Sequence, residues 1–476
     1  MAIISIFMAI LAVSAYSLFL SEFTQIKKGV LPLVVICASI CAFCLFGYAN
    51  LLFVCGILWY VLAAAGVVAV ILKNRKTGIK KVFANFFSLD IVLFLCISVA
   101  VTVILAINAP MLTRWDEFSF WGSAAKILKM NDQLYTFGAY TFTNKLGYPA
   151  GLPLLTYIFG FLSPTFVEWA AMAAYDILMV AVFTAVVAGV NKKYYKLSIF
   201  IFFVLFSLPF MFELANANQL VLFSFRTLYS EMPIGILFGG IIAVYFAQKQ
   251  KNVGTFLSIG CCLAALSLIK DVGFVLAVIA VFCIGVDMLF VQRKDIKIGK
   301  LTGFFATVII CLCLLAICIV GFFSWTWHTA AVVNIDRTNV GALAPMSMFE
   351  VVATGLKELV GINRTDRFSS IFKSMITAFF NIRLTSLGSS FATLAVIFAV
   401  FAISVVCGWK NKKGVLSTVL VAVSGTVGLL GMMLFQLFAY VYVFGYLPGL
   451  NLADYARYFS VYYIGFFIVA LCRLCL

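Results

Sequence analysis

The chain has 476 residues, of which 65% are hydrophobic and only 11% charged, with a mean hydropathy of +1.15 and a formal net charge of +16. So few polar side chains cannot clothe a water-facing surface, which excludes a soluble globule and leaves an integral membrane protein. The excess of lysine and arginine reads as topogenic charge set against anionic membrane lipids, and nucleic acid is not expected as a partner.

Apolar runs recur from end to end, near 1–20, 29–48, 51–72, 88–110, 167–190, 197–212, 232–247, 255–270, 272–291, 301–323, 391–408, 415–437 and 457–474. Runs near 20 residues cross the hydrocarbon core as helices. The pattern predicts an all-α, polytopic transmembrane bundle of about 12–14 spans. Met1 to Leu20 contains no Lys or Arg, so the first span is expected to be a retained helix and not a cleaved signal. Residues 150–163 are ambiguous. If they cross the membrane, "NKKYYK" at 191–196 falls on the wrong side; if they do not, they form a re-entrant or interfacial half-helix.

Lysine and arginine clusters orient the spans. Lys27/Lys28, Lys73 to Lys81, Lys192/Lys193/Lys196, Lys249/Lys251, Arg293 to Lys300 and Lys410 to Lys413 mark cytoplasmic loops. The hydrophilic stretches 111–149, 213–231 and 324–390 then face outward. All 14 cysteines fall in apolar runs, Cys41 and Cys44 included, and are expected as buried free thiols. With His328 as the one histidine, a histidine-rich metal site and a Ser-His-Asp arrangement repeated on loops are ruled out by counting.

The outward stretches hold the chemistry. In "TRWDEFSFWGSAAKILKM" (113–130), a helix over 115–129 sets Asp116, Ser119, Ser123 and Lys126 along one stripe, with Phe120, Trp121, Ala124, Ile127 and Leu128 opposite. Such a helix is expected to lie in the membrane interface. Glu117 projects about 100° away from Asp116, so the two acids have different tasks. "KLGYPAGLPLL" (145–155) supplies Tyr148 in a turn that opens the next apolar segment. "SFRTLYSEMPIG" (224–235) puts Arg226 and Glu231 before an inward span, and "LIKDVGF" (268–274) puts Lys270 and Asp271 at an outward hairpin. "NRTDRF" (363–368) adds charge to the late loop, and "DYARYF" (454–459) places Arg457 where the last span begins. Singly, each charge reads as a snorkelling or capping group. Together they collect at one face.

The acidic pair in the first long outward loop, the "YPxG" turn and the acid heading a later span resemble the GT-C superfamily of polyprenyl-phosphate-sugar-dependent glycosyltransferases, over roughly residues 88–290. "WDE" is most similar to the Asp-Glu loop of its protein O-mannosyltransferase-like members. The resemblance implies a GT-C-like core at 88–300 with juxtamembrane helices in loop 111–149, preceded by additional helices at 1–87 and followed by helices at 301–476 carrying loop 324–390. Two departures stand out: the acidic loop follows the fourth span instead of the first, and loop 324–390 stands where relatives often carry a soluble domain.

The activity implied is transfer of a sugar from a polyprenyl-phosphate carrier to a glycan, lipid or protein acceptor at the outer face of the cell membrane, with inversion. Asp116 would be the general base and Glu117 would position the acceptor or support the loop. Arg226, Lys270 and Arg457 would hold the leaving phosphate, with Lys126, Tyr148, Glu231 and Asp271 completing the substrate site. No cofactor is expected, the alternative being Mg²⁺ or Mn²⁺ held by Asp116, Glu117 and Glu231. Two other readings stay open. An ion-coupled transporter or lipid-linked-glycan flippase would work through Asp176, which the transferase reading expects to be paired within the bundle. An O-antigen ligase or polymerase-like enzyme would use His328, Arg337, Arg364 and Arg367.

Overall fold

The computed structural model describes residues 1–476 except 77, 139–145, 213, 217–218, 222–224, 249, 294–295, 299–300, 336–338, 341–345 and 476. Lys249, Lys294, Lys300 and Arg337 therefore lie outside the described residues. The helices are α1 (Ala2–Phe23), α2 (Leu31–Tyr48), α3 (Leu52–Lys73), α4 (Ile79–Phe86), α5 (Leu89–Asn108), α6 (Gly122–Asn131), α7 (Gly151–Gly160), α8 (Glu168–Val187), α9 (Tyr195–Met211) and α10 (Glu231–Ala247). They continue as α11 (Val253–Ser267), α12 (Asp271–Phe290), α13 (Gly303–Val333), α14 (Met348–Leu359), α15 (Asp366–Asn381), α16 (Ser390–Cys407), α17 (Lys412–Phe438), α18 (Tyr446–Leu450) and α19 (Tyr455–Leu474). Strands among the described residues are confined to short two-stranded ladders in loops.

Among the described residues ten helices are long and apolar enough to cross a membrane: α1, α2, α3, α5, α8, α12, α13, α16, α17 and α19. A helix satisfies its own backbone polar groups, which lipid cannot do, so long apolar runs settle into this form. Ten is fewer than the twelve to fourteen spans expected, because α9, α10 and α11 have only 17, 17 and 15 residues. They still run between the same two ends of the bundle. α10 starts at Glu231 beside Lys270 and stops at Gln248, whose amide oxygen accepts from the Lys27 N–H at 3.1 Å. Every residue of α10 is buried. Its length, roughly 26 Å at 1.5 Å per residue, need not match the lipid around the protein.

One end of the bundle carries the lysine clusters; the other, called the carboxylate end below, carries Asp116, Glu117, Glu168, Glu231 and Asp454. α7 does not cross between them. Its Gly151 N–H donates to the Leu268 carbonyl at 2.9 Å, and just past its other end the Leu162 N–H donates to Ser5 Oγ at 3.0 Å in the first turn of α1. Both contacts lie at the carboxylate end. α8 thus runs from that end to the lysine-rich one, and Lys192 and Lys193 follow it there beside Lys27, which donates to the Ala188 carbonyl at 2.9 Å.

The centre is made of α8, α10 and α19, each almost wholly buried. Gly235 and Gly239 let α10 press against α19. A Cβ on Gly235 would lie 2.5 Å from the Val461 carbonyl oxygen, and one on Gly465 would lie 2.7 Å from the Gly235 carbonyl oxygen. Small residues at i and i+4 permit this backbone approach, the means by which helices associate in lipid. Glu231 lies one turn before Gly235, so the same contact brings it against Arg457 in the first turns of α19.

The loop after α5 departs from expectation. Residues 117–121 form a π-helical turn, so a regular 100° step does not hold at the acidic pair. Phe120, Trp121, Ala124 and Leu128 are buried within the protein, and Phe120 packs edge-on to Tyr135 and Tyr148. This helix therefore docks Phe120, Trp121, Ala124 and Leu128 on the bundle and leaves Trp115 and Phe118 exposed beside it. α13 also runs further than expected, to Val333, which places His328 inside a helix and not in the loop. All 14 cysteines are free; Cys96, Cys313 and Cys407 are exposed on helix faces instead of buried.

Candidate functional site

Four segments far apart in sequence converge at the carboxylate end. Glu231, the first residue of α10, is buried, and its Oε1 accepts from Lys270 Nζ at 3.0 Å and from Arg457 Nε at 3.1 Å. Arg457 also pairs with Asp116 and, at 3.5 Å, with Asp454. One carboxylate oxygen thus fixes two cations at one spot, and one guanidinium links three acids. Burial works against the Lys270 charge, but the Glu231 carboxylate beside it holds its ammonium above the ordinary lysine range. A raised pKa keeps the pair's stabilisation intact below about pH 10.4, the ordinary lysine value, and surrenders it only as pH climbs through the higher folded value.

Aromatic rings complete the wall. Lys270 Nζ lies 5.7 Å from the ring centres of both Tyr148 and Tyr458, and the Arg457 guanidinium lies 4.6 Å from that of Tyr229. Tyr148 stacks on Trp121 with centroids 6.0 Å apart. A cation over a ring face is stabilised by the ring quadrupole, so these tyrosines help hold charge that burial would otherwise penalise.

Glu117 has a different place. It is buried, and both of its oxygens are taken: Oε2 accepts from the N–H groups of Thr113 and Arg114 at 3.0 Å each, and Oε1 from Thr227 Oγ1 and the Leu228 N–H at 2.9 Å each. It therefore ties the acidic loop to the segment before α10. Glu168 makes a similar tie, its Oε2 accepting from the Leu112 N–H at 2.6 Å. These two acids shape the loop, and Asp116, with 16% of its side chain exposed, is the member left at the opening.

The remaining candidates divide. Tyr148 joins the site through Lys270, as above. Lys126 is exposed on α6 and makes no ion pair with the described residues, and Ser123 donates its hydroxyl to the Phe118 carbonyl at 2.5 Å, so the expected stripe of Asp116, Ser119, Ser123 and Lys126 does not form a common polar face. Arg226 is exposed and makes no ion pair among the described residues. Asp271 opens α12, where a carboxylate complements the helix dipole, and is not among the acids paired with Lys270 or Arg457. Asp116 and Glu231 share Arg457 while Glu117 faces backbone N–H groups and Thr227, and among the described residues no group of three or more His, Cys, Asp or Glu side chains converges as metal ligands.

Sequence reasoning missed Asp454, Tyr229, Tyr458 and Glu168. Asp454 had a legible signal, its spacing of three from Arg457. It holds a left-handed backbone with φ 57°, as does Leu452 with φ 47°, a conformation costly for a non-glycine residue. Arg367 supports this turn from α15. It donates to the carbonyls of Val441 at 2.8 Å, Tyr440 at 2.9 Å and Tyr446 at 3.2 Å, holding the π-helical end that follows α17 and the start of α18. Arg364 lies over Phe368 and Phe372, and His328 bonds Thr136 Oγ1 at 2.8 Å, so neither joins the cluster. Asp176 is buried mid-helix in α8, and its Oδ2 has no hydrogen-bond partner among the described residues, contrary to the pairing expected of it. No protein-family model, curated protein or solved structure matches this chain.

Proposed function

We propose that the protein is a membrane glycosyltransferase moving a sugar from a polyprenyl-phosphate carrier to an acceptor hydroxyl. The observation that carries this reading is the sharing of Glu231 Oε1 by Lys270 and Arg457 beside the partly exposed carboxylate of Asp116. Two cations held by one buried acid are preorganised to take a phosphate, and a preorganised charge is worth most where charge grows in the transition state. The arriving phosphate replaces Asp116 on Arg457. The freed carboxylate then takes the proton of the acceptor hydroxyl while the hydroxyl oxygen bonds the anomeric carbon, and the carbon–oxygen bond to phosphate breaks with its electron pair going to the carrier. One displacement inverts that carbon. Arg226 waits at the rim, and the acceptor is a glycan, lipid or protein.

By the positive-inside rule the lysine-rich end is cytoplasmic and the site extracytoplasmic. Labels reaching positions near 116 from outside, but positions 74–76 and 410–413 only after permeabilisation, support that orientation; the reverse pattern removes it. For the chemistry, Lys270→Ala in proteoliposomes should weaken binding of a polyprenyl-phosphate-sugar donor by about tenfold or more, the worth of a charge-assisted hydrogen bond, with free-sugar binding unchanged. Unchanged donor binding would defeat the phosphate assignment.

A second reading rests on the unpartnered oxygen of Asp176. In an ion-coupled transporter or flippase, a buried acid within the bundle is the working group. Solute uptake that requires Asp176, with no sugar transfer from any lipid donor, would favour it over the transferase.

A further inference from the structure

We propose that α14 and α15 are interfacial helices, seated in the bilayer leaflet at the carboxylate end with one apolar sector of each sunk among acyl chains. Each helix has three sectors, not two. On α14, Val351, Gly355 and Glu358 face the protein and are buried. Turned roughly 100–180° from Val351 at 100° per residue come Phe349, Val352, Leu356 and Val360, with exposures of 82%, 48%, 47% and 72%. Glu350 and Lys357 fill the third sector, and both are exposed. α15 has the same three sectors: Phe368, Ile371 and Met375 are buried, Ile376 and Phe380 are exposed on the far side with Lys373 at its border, and Ser370 and Thr377 are polar and exposed on the third.

A helix in water has no reason to present a second apolar face away from its own protein. A helix at a membrane surface does, because it meets protein on one side, acyl chains below and headgroups above. The occupant is set by continuity. The Phe380 ring lies 5.4 Å from that of Phe391, an exposed residue in the first turn of the candidate span α16, whose Ile403 and Val406 are exposed further along the same helix. The apolar sector of α15 thus runs into a surface that lipid must cover. α14 is held at the same level, with Gly355 packed so tightly on Phe438, the last residue of α17, that a Cβ would meet its ring at 2.5 Å.

The test uses the full chain in phosphatidylethanolamine–phosphatidylglycerol vesicles and, in parallel, in native membranes. A benzophenone amino acid is placed at Phe349, Leu356 or Phe380, and for comparison at Glu350, Lys357 or Ser370. After illumination, intact-protein mass should rise by one phospholipid at the first three positions, with that adduct lost at the second three. Cross-links from Phe349 or Leu356 to a second copy or to another protein would overturn the proposal, as would equal lipid adducts in both sets or none in either. The substituted positions are exposed, so folding is not at risk, and the result does not depend on whether sugar transfer is the activity.

Discussion

The two ends of the bundle use the same kinds of charged residue in opposite ways. At the lysine-rich end, cations donate to backbone carbonyls where helices end: Lys27 to Ala188 at 2.9 Å, Lys28 to Asn85 and Lys73 to Glu22 at 2.5 Å each, and Lys251 to Gln248 at 2.8 Å. These partners are the negative ends of helix dipoles, which any sequence of this topology supplies. At the carboxylate end, Lys270 and Arg457 take their charge balance from acids brought from distant segments. Pairing buried ions adds little net stability, since desolvation offsets most of the attraction. An arrangement with so little thermodynamic reason to exist is where function is to be sought. Acids also stand at the lysine-rich end: Glu22 accepts from the Asn74 side chain, and Asp287 is buried and satisfied by the hydroxyls of Tyr245 and Ser417.

The contrast can be broken by substitution. Its largest expected effect is Glu231→Ala, which strands Lys270 and Arg457 in a buried site; stability should fall by about 3–5 kcal/mol, read as a lowered melting temperature in detergent. An unchanged melt would mean the cluster is wetter and looser than the geometry implies. Glu117→Gln comes next, because an amide nitrogen cannot accept two of the four hydrogen bonds now made by the carboxylate. A loss of about 1.5–3 kcal/mol is expected, together with faster proteolysis near residues 113–117, and protection there would remove Glu117 as the loop's tie.

A pH scan sharpens the other side. Burial pushes the Lys251 ammonium down to about 7, below its unfolded value, so between those two pKa values the unfolded chain binds the extra proton. Stability should therefore rise as pH climbs from about 7 toward 10. Lys251→Met should flatten that rise; a slope that survives belongs to another group. Smallest of all is Lys28→Ala, within about 0.5 kcal/mol by the same melt, and a large loss there would erase the distinction between the ends.

Much of the fold was legible. The limits of α16, α17 and α19 follow from hydropathy alone, because a span is defined by its own residues. The extension of α13 to Val333 was not, since "SWTWHTAAVV" mixes apolar and polar residues and only packing decides it. Nor could α7 be placed, because ten apolar residues fit a buried half-helix as well as part of a span. The members of the site were mostly named from sequence, but their pairing was hidden. Arg457 lies 226 residues from Glu231 and 341 from Asp116, and what joins them is a glycine contact between α10 and α19 that no local pattern announces. The π-turn at 117–121 likewise defeated the helical wheel, sending Asp116 toward Arg457 and Glu117 inward.

The central claim is that Asp116 is the base of a sugar transfer, and one paired measurement addresses it: turnover and donor binding of Asp116→Asn with a polyprenyl-phosphate-sugar in proteoliposomes. The substitution keeps size and most hydrogen bonds while removing the basic oxygen. Turnover should fall by about 10² or more while donor binding is retained, the signature of a lost general base. Near-normal transfer by Asp116→Asn would contradict the account.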